Sequence, residues 1–129
     1  MHLLLDTCAL LWLAGDRSKL SPKAAAAILG NAPLAFSAIS ALEIQRLHEL
    51  GQMKIPGGNA EEWLESLARS YRLEEWLIDA ATAALSARLP PIHKDPCDRM
   101  IIASALRHKA SIVTADQIIP SYPKVKICW

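Results

Sequence analysis

The sequence predicts an α/β fold, a single α/β/α sandwich on a short, mostly parallel central sheet, and three observations lead there. Short apolar segments such as Leu3-Leu4-Leu5 and Ser111-Ile112-Val113-Thr114 have the pattern of strands buried on both faces. They alternate with longer segments that carry helix caps and helical periodicity, the mark of βαβ units. Asp6 follows the first of these strands and Asp116 lies two residues past the other, at the carboxyl ends where open parallel sheets bind ligands.

The elements follow in order. After the strand Leu3–Leu5, Thr7 to Leu13 reads as a short helix ended by Gly15. Ser21-Pro22 is an N-cap followed by the favoured N1 proline, opening an alanine-rich helix that stops at Gly30-Asn31. Leu34-Ala35-Phe36 is the second strand. Ser40 is positioned to cap a helix running to about Leu50, with Gly51 as its stop. Ile55-Pro56-Gly57-Gly58-Asn59 forms a loop before a helix from about Ala60 to Ser70. Leu73 to Ile78 is a strand interrupted by Glu74 and Glu75, and Asp79 caps a helix that Pro90-Pro91 breaks. Asp95-Pro96 opens a helix to about His108, and Val125 to Cys128 closes the chain as a last strand.

Composition narrows the function. The chain has 129 residues, 52% hydrophobic and 21% charged, which suits one globular domain over residues 1–129 and excludes a disordered segment. A formal charge of +1 announces no bulk affinity for nucleic acid, so function has to be argued from particular residues. Cys8, Cys97 and Cys128 make no even set and no CxxC, which suggests neither a disulfide framework nor a zinc knuckle. The apolar start carries Asp6 and lacks a basic leader region, so a cytoplasmic protein with no membrane partner is expected.

Four carboxylates stand apart. Asp6 and Asp116 lie at strand ends, although each can equally cap the turn or helix that follows. Glu43 shares a spacing of i, i+4, i+7 with Leu47 and Leu50, and Asp98 lies on the stripe of Ile101, Ile102, Ala105 and Leu106. Acids avoid a core-facing stripe unless something cationic compensates them. Asp98 also suits the first turn of its helix behind the N-cap Asp95, and an arginine such as Arg46 or Arg99 is a possible partner for Glu43. If the four converge, a hard divalent cation, Mg²⁺ or Mn²⁺, is the natural counter-charge, since the set contains only oxygen ligands. Such a site suits hydrolysis of a phosphodiester.

Four segments carry a resemblance over nearly the whole chain: LLLDTCALLWLAGD, SAISALEIQRL, ARLPPIHKDPCDRMIIASAL and SIVTADQIIPSYPKVKICW. In order and spacing they resemble the PIN domains, in particular the VapC-like toxins of type II toxin–antitoxin modules. The resemblance implies a Rossmann-like PIN fold and an endoribonuclease dependent on Mg²⁺ or Mn²⁺. On it, Asp6, Glu43, Asp98 and Asp116 match the acidic metal-binding and catalytic positions, and Thr7 and Thr114 match flanking hydroxyls. It also implies an RNA substrate, a VapB-like antitoxin and a homodimer. The chain departs from the family in Leu42 where tryptophan is frequent, in Cys97 where phenylalanine is common, and in Ile44-Gln45-Arg46, which moves a basic side chain.

Around this set, Asp95 reads as a helix cap rather than a ligand. His93 is either a phosphate contact or a structural loop residue, and Arg46, Lys94 and Arg99 are either phosphate contacts or solvated charges. Trp12, Trp63, Trp76 and Trp129 read as core or interface rather than base-stacking platforms. Two other readings share the same acids: a PIN-like nuclease of RNA processing without an antitoxin, and a non-catalytic interaction domain that binds metal for stability. A haloacid-dehalogenase pattern would need an acid two residues after Asp6, where Cys8 stands.

Overall fold

The computed structural model describes residues 1–129. In chain order the elements are β1 (Leu3–Leu5), α1 (Thr7–Ala14), α2 (Pro22–Ile28), β2 (Leu34–Ser37), α3 (Ile39–Glu49), α4 (Ala60–Tyr71), β3 (Leu73–Trp76), α5 (Ala80–Arg88), α6 (Pro96–His108), β4 (Ser111–Val113) and β5 (Lys126–Cys128). The strands form one sheet in the order β3-β2-β1-β4-β5, and every pair is parallel. The sheet expected to be mostly parallel is therefore wholly so. Building outward from β1, the chain fills one side through β2 and β3 and then the other through β4 and β5. That reversal opens a crevice beyond the carboxyl ends of β1 and β4, the place where such sheets bind ligands.

Alternation along the strands sends side chains into two separate cores. Leu3, Leu5, Leu34, Phe36 and Val113 pack with α1, α2 and α4 in a cluster of 18 buried residues. Leu4, Ala35 and Ile112 point to the other face and meet Ile101 and Ile102 of α6 in a cluster of 12. Burial on both faces explains why the strand sequences are continuously apolar. At the sheet's edges the pattern changes: Glu74 and Glu75 of β3 and Lys126 of β5 are exposed, and charges there discourage pairing with another chain.

Local chemistry sets the helix starts. Asp6, Ser21, Asn59, Asp79 and Asp95 each accept a hydrogen bond from a backbone N–H in the first turn of the following helix. Each cap contributes about 1 kcal/mol. Gly51, at φ 72°, takes the left-handed conformation that follows the end of α3.

Three expectations are corrected. Ser40 does not cap α3; the helix starts at Ile39, two residues earlier than a Ser40 cap implies, and the Ile39 N–H donates to Ser37 Oγ at 3.2 Å. The stripe Glu43-Leu47-Leu50 does not face the core: Ser40 and Ile44 are the buried residues of α3, and Leu50 is 63% exposed. The strand begun at Leu73 ends at Trp76 rather than Ile78, because Leu77 turns outward and Asp79 already caps α5. No helix is long and apolar enough to cross a membrane.

Candidate active site and metal centre

Asp6 is fixed from both sides. Its backbone N–H donates to Val113 O at 3.1 Å, which ties the end of β1 to β4, and its Oδ1 accepts the Ala9 N–H at 2.8 Å. The residue is buried, so its carboxyl is pushed above the ordinary value by desolvation, against the pull of Thr114 and the Ala9 N–H. Thr7, the first residue of α1, donates its hydroxyl to Glu43 Oε1 at 2.5 Å and lies 2.9 Å from Ser40 Oγ. With the single Thr7 hydrogen spent on Glu43, the Ser40 hydroxyl donates to Thr7. This Ser40-Thr7-Glu43 chain holds the glutamate across 36 residues of sequence.

On the other wall, His93 Nε2 lies 3.2 Å from Asp98 Oδ2 and 3.1 Å from Asp116 Oδ2. His93 Nδ1 accepts the Asp95 N–H at 3.2 Å, so in the neutral ring the hydrogen sits on Nε2, between the two carboxylates. Asp116 is braced further, since its Oδ1 accepts the N–H groups of Ile118 at 2.6 Å and Ile119 at 3.1 Å. The Thr114 hydroxyl accepts the Asp116 N–H at 3.0 Å.

Two groups of metal-capable atoms result. His93, Asp98 and Asp116 offer ligand atoms within 4.8 Å of one another, and so do Glu43, Asp95 and Asp98. Asp98 belongs to both. Asp6 belongs to neither, although its charge acts on Glu43 and Asp116 acts on it. Asp95 both caps α6, accepting the Cys97 N–H at 2.9 Å, and joins the second group.

Electrostatics separate these acids. Burial, then the charges of Asp95 and Glu43, push Asp98 up to about 7. Burial raises Glu43 as well, against the Thr7 hydrogen bond. Asp116 goes the other way: burial acts to raise it, but His93 and the two backbone N–H groups together hold it below the ordinary value. No lysine or arginine forms an ion pair with these acids; the imidazole of His93 is the partner of Asp98 and Asp116. Cys8 and Cys97 flank the acids, and burial followed by the neighbouring carboxylates pushes both thiols up to about 11. They are neutral at ordinary pH and are poor metal ligands. A crowded set of carboxylate oxygens with one imidazole nitrogen therefore fits a hard divalent cation.

The remaining predicted residues divide. Arg46 is exposed and lines a groove of about 190 Å³ with Glu43, Leu47, Leu50, Asp95 and Cys97, so it sits beside the acids. Arg99 does not: its guanidinium donates to the carbonyls of Leu89 at 2.8 Å, Pro90 at 3.0 Å and His93 at 3.1 Å. It anchors the loop that carries His93. Tyr122 does the same, because its hydroxyl accepts the His93 N–H at 2.7 Å and donates to Pro90 O at 2.9 Å. Ser40 and Tyr122 were not singled out as site residues from sequence. Ser40 carried the pattern of a helix cap, and nothing local marks Tyr122.

Comparison with known proteins agrees with this geometry. A family profile described as PIN domain matches residues 3–125. The chain is 34% identical over 131 residues to Ribonuclease VapC22 of Mycobacterium tuberculosis (strain ATCC 25618 / H37Rv), covering 98% of this chain and 97% of that protein. Its fold is similar to that in the crystal structure of VapBC2 from Rickettsia felis bound to a promoter DNA fragment, with TM-score 0.74 and 17% identity over 98% of this chain and 97% of that one. A toxin–antitoxin complex from Klebsiella pneumoniae is also similar, at TM-score 0.65 and 21% identity over 95% and 94% of the two chains. The switch-point acids, the wholly parallel sheet and the match along nearly the entire sequence agree: this chain belongs to the PIN-domain family.

Proposed function

We propose that the chain is a metal-dependent endoribonuclease and the toxin of a VapBC-type toxin–antitoxin pair. The observation that carries the reading is the gathering of Glu43, Asp95, Asp98 and Asp116 around the crevice beyond β1 and β4, with Asp6 buried behind them. When bound, Mg²⁺ or Mn²⁺ supplies Lewis acidity for the phosphate and lowers the pKa of a coordinated water. Asp98 and Asp116 would hold the cation, with the buried Asp6 adding its charge directly or through metal-bound water. Glu43 takes the proton of the attacking water, and the Ser40-Thr7 hydrogen bonds keep its carboxylate aimed. His93 spaces Asp98 and Asp116 through one shared N–H. Water would attack the phosphorus in line, and the ribose oxygen would leave with a proton taken from solvent, cutting the RNA strand internally.

An antitoxin partner is supported by the solved relatives, one of which is a toxin–antitoxin complex from Klebsiella pneumoniae. Leu29 and Leu77, 69% and 71% exposed, are apolar surface suited to that partner or to a homodimer. The test is cleavage of end-labelled total tRNA and a structured RNA with Mg²⁺, Mn²⁺ or EDTA, by wild-type protein and by Asp6→Asn and Asp98→Asn proteins purified identically. Discrete cuts that require metal and vanish in both variants support the reading. Cuts that persist in EDTA or in the variants overturn it.

A further inference from the structure

Toward the far end of α6 from Asp98, about 10–16 Å along the helix axis, lies a hollow of about 410 Å³. Its lining combines an apolar part, Leu85, Leu106 and two alanines, with the charged side chains Arg107, Lys109, Lys124 and Lys126. Its volume falls in the range of small-ligand sites, roughly 300–1,000 Å³. Arg107 is already committed, since its Nη1 donates to both oxygens of Asp79 at 2.7 and 2.9 Å and to Thr82 Oγ1 at 2.8 Å. The three lysines are exposed, and none is paired with an acid.

The end of α6 accounts for Lys109, because cations are favoured at a helix C-terminus. It does not account for Lys124 and Lys126, which come from the turn before β5 and from β5 itself. Lys109 and Lys124 also adopt left-handed backbone, at φ 55° and 65°, and only one other non-glycine residue does so. Glycine takes that conformation without strain, so the backbone alone gives no reason for lysine at either position.

We propose that this hollow binds a free nucleotide, with its base on the apolar part of the lining and its phosphates against the three lysines. Three unpaired amines around one hollow match a ligand whose negative charges are close together, and lysine binds phosphate as a point charge. Inorganic phosphate alone would leave the apolar part exposed, and a fatty carboxylate would bring one charge to three amines. The proposal does not depend on the nuclease reading.

Calorimetric titration of the intact protein with ATP in EDTA tests it, since EDTA keeps metal–nucleotide complexes off the acids. Saturation at one ATP per chain is expected, weakened at least tenfold in a Lys124→Gly/Lys126→Ala protein and unchanged in Asp6→Asn. Lys124→Gly alone should keep or raise the melting temperature, because it relieves the left-handed backbone, while weakening ATP binding. Lys109→Gly provides a second variant of the same kind. Absence of saturation, or undiminished binding in these variants, overturns the proposal. So does phosphate or adenosine binding as tightly as ATP, or a 5′-phosphorylated RNA oligonucleotide binding more tightly.

Discussion

Asp79 and Asp98 are the same residue type at helix N-termini, one the N-cap of α5 and the other in the first turn of α6, and they behave in opposite ways. Asp79, at the solvent, caps α5, and the Thr82 hydroxyl, then Arg107 and the Thr82 backbone N–H, hydrogen-bond its carboxyl and hold it well below the ordinary value. Asp98, half-buried among other acids, is pushed up to about 7. A helix terminus favours both carboxylates by similar small amounts. What separates them is burial and partners: Thr82 and Arg107 hydrogen-bond one in solvent, whereas burial raises the other, which shares a single imidazole N–H with Asp116. The first arrangement stabilises the fold, and the second leaves charge to be offset by a ligand.

The largest expected effect lies on the uncompensated side. Glu43→Gln should lower the metal-dependent cleavage rate by about 10²–10⁴-fold, the usual worth of a positioned general base. Single-turnover kinetics would measure this, and a rate within a few-fold of wild type would assign Glu43 a structural role instead. Thr7→Val removes the donor to Glu43 and strands Ser40, so a loss of about 10–100-fold is expected, as for other groups that orient a metal site. Because the Thr7 hydrogen bond lowers the Glu43 pKa, the acid limb of the pH–rate profile should also move to higher pH in that variant.

Stability should separate the two aspartates next. Asp98 binds its proton more tightly in the folded chain than in the unfolded one, where it titrates near 3.8. The metal-free protein should therefore lose stability as pH rises from about 4 to 7, and Asp98→Asn should melt higher than wild type at pH 8. Mg²⁺ or Mn²⁺ at a hundred times its dissociation constant should stabilise wild type by about 2.7 kcal/mol, and Asp98→Asn much less. Differential scanning fluorimetry across pH and metal concentration reads both. The smallest effect belongs to Asp79→Ala, which should lower the melting temperature modestly and leave cleavage unchanged. That loss should shrink as pH falls below about 4, since the depressed carboxyl contributes its full stability above the unfolded pKa and loses it toward the lower folded one.

Much of this was legible in the sequence because it is local. A buried strand followed by Asp6, the pair Asp95-Pro96 before α6, and the caps Ser21 and Asp79 are each set within a few residues, and the structure places them there. Contacts made over long sequence separations were not legible. Ser40 resembles a cap until β1 and α3 bring Thr7 to it from 33 residues away. Arg99 resembles a phosphate ligand until the turn after α5 presents its carbonyls. The stripe through Glu43 was misread for a related reason: α3 presents Ile44 rather than Leu47 and Leu50 to the core, so the periodicity marked a groove.

The most direct test of the uncompensated acid cluster is the titration of Asp98 itself. Carbon-13 NMR of the carboxyl groups would follow it in metal-free protein, with Asp98→Asn identifying the resonance. A midpoint near 7 that falls sharply when Mg²⁺ is added is the expected result. Titration near 4, unmoved by Mg²⁺, would contradict the account.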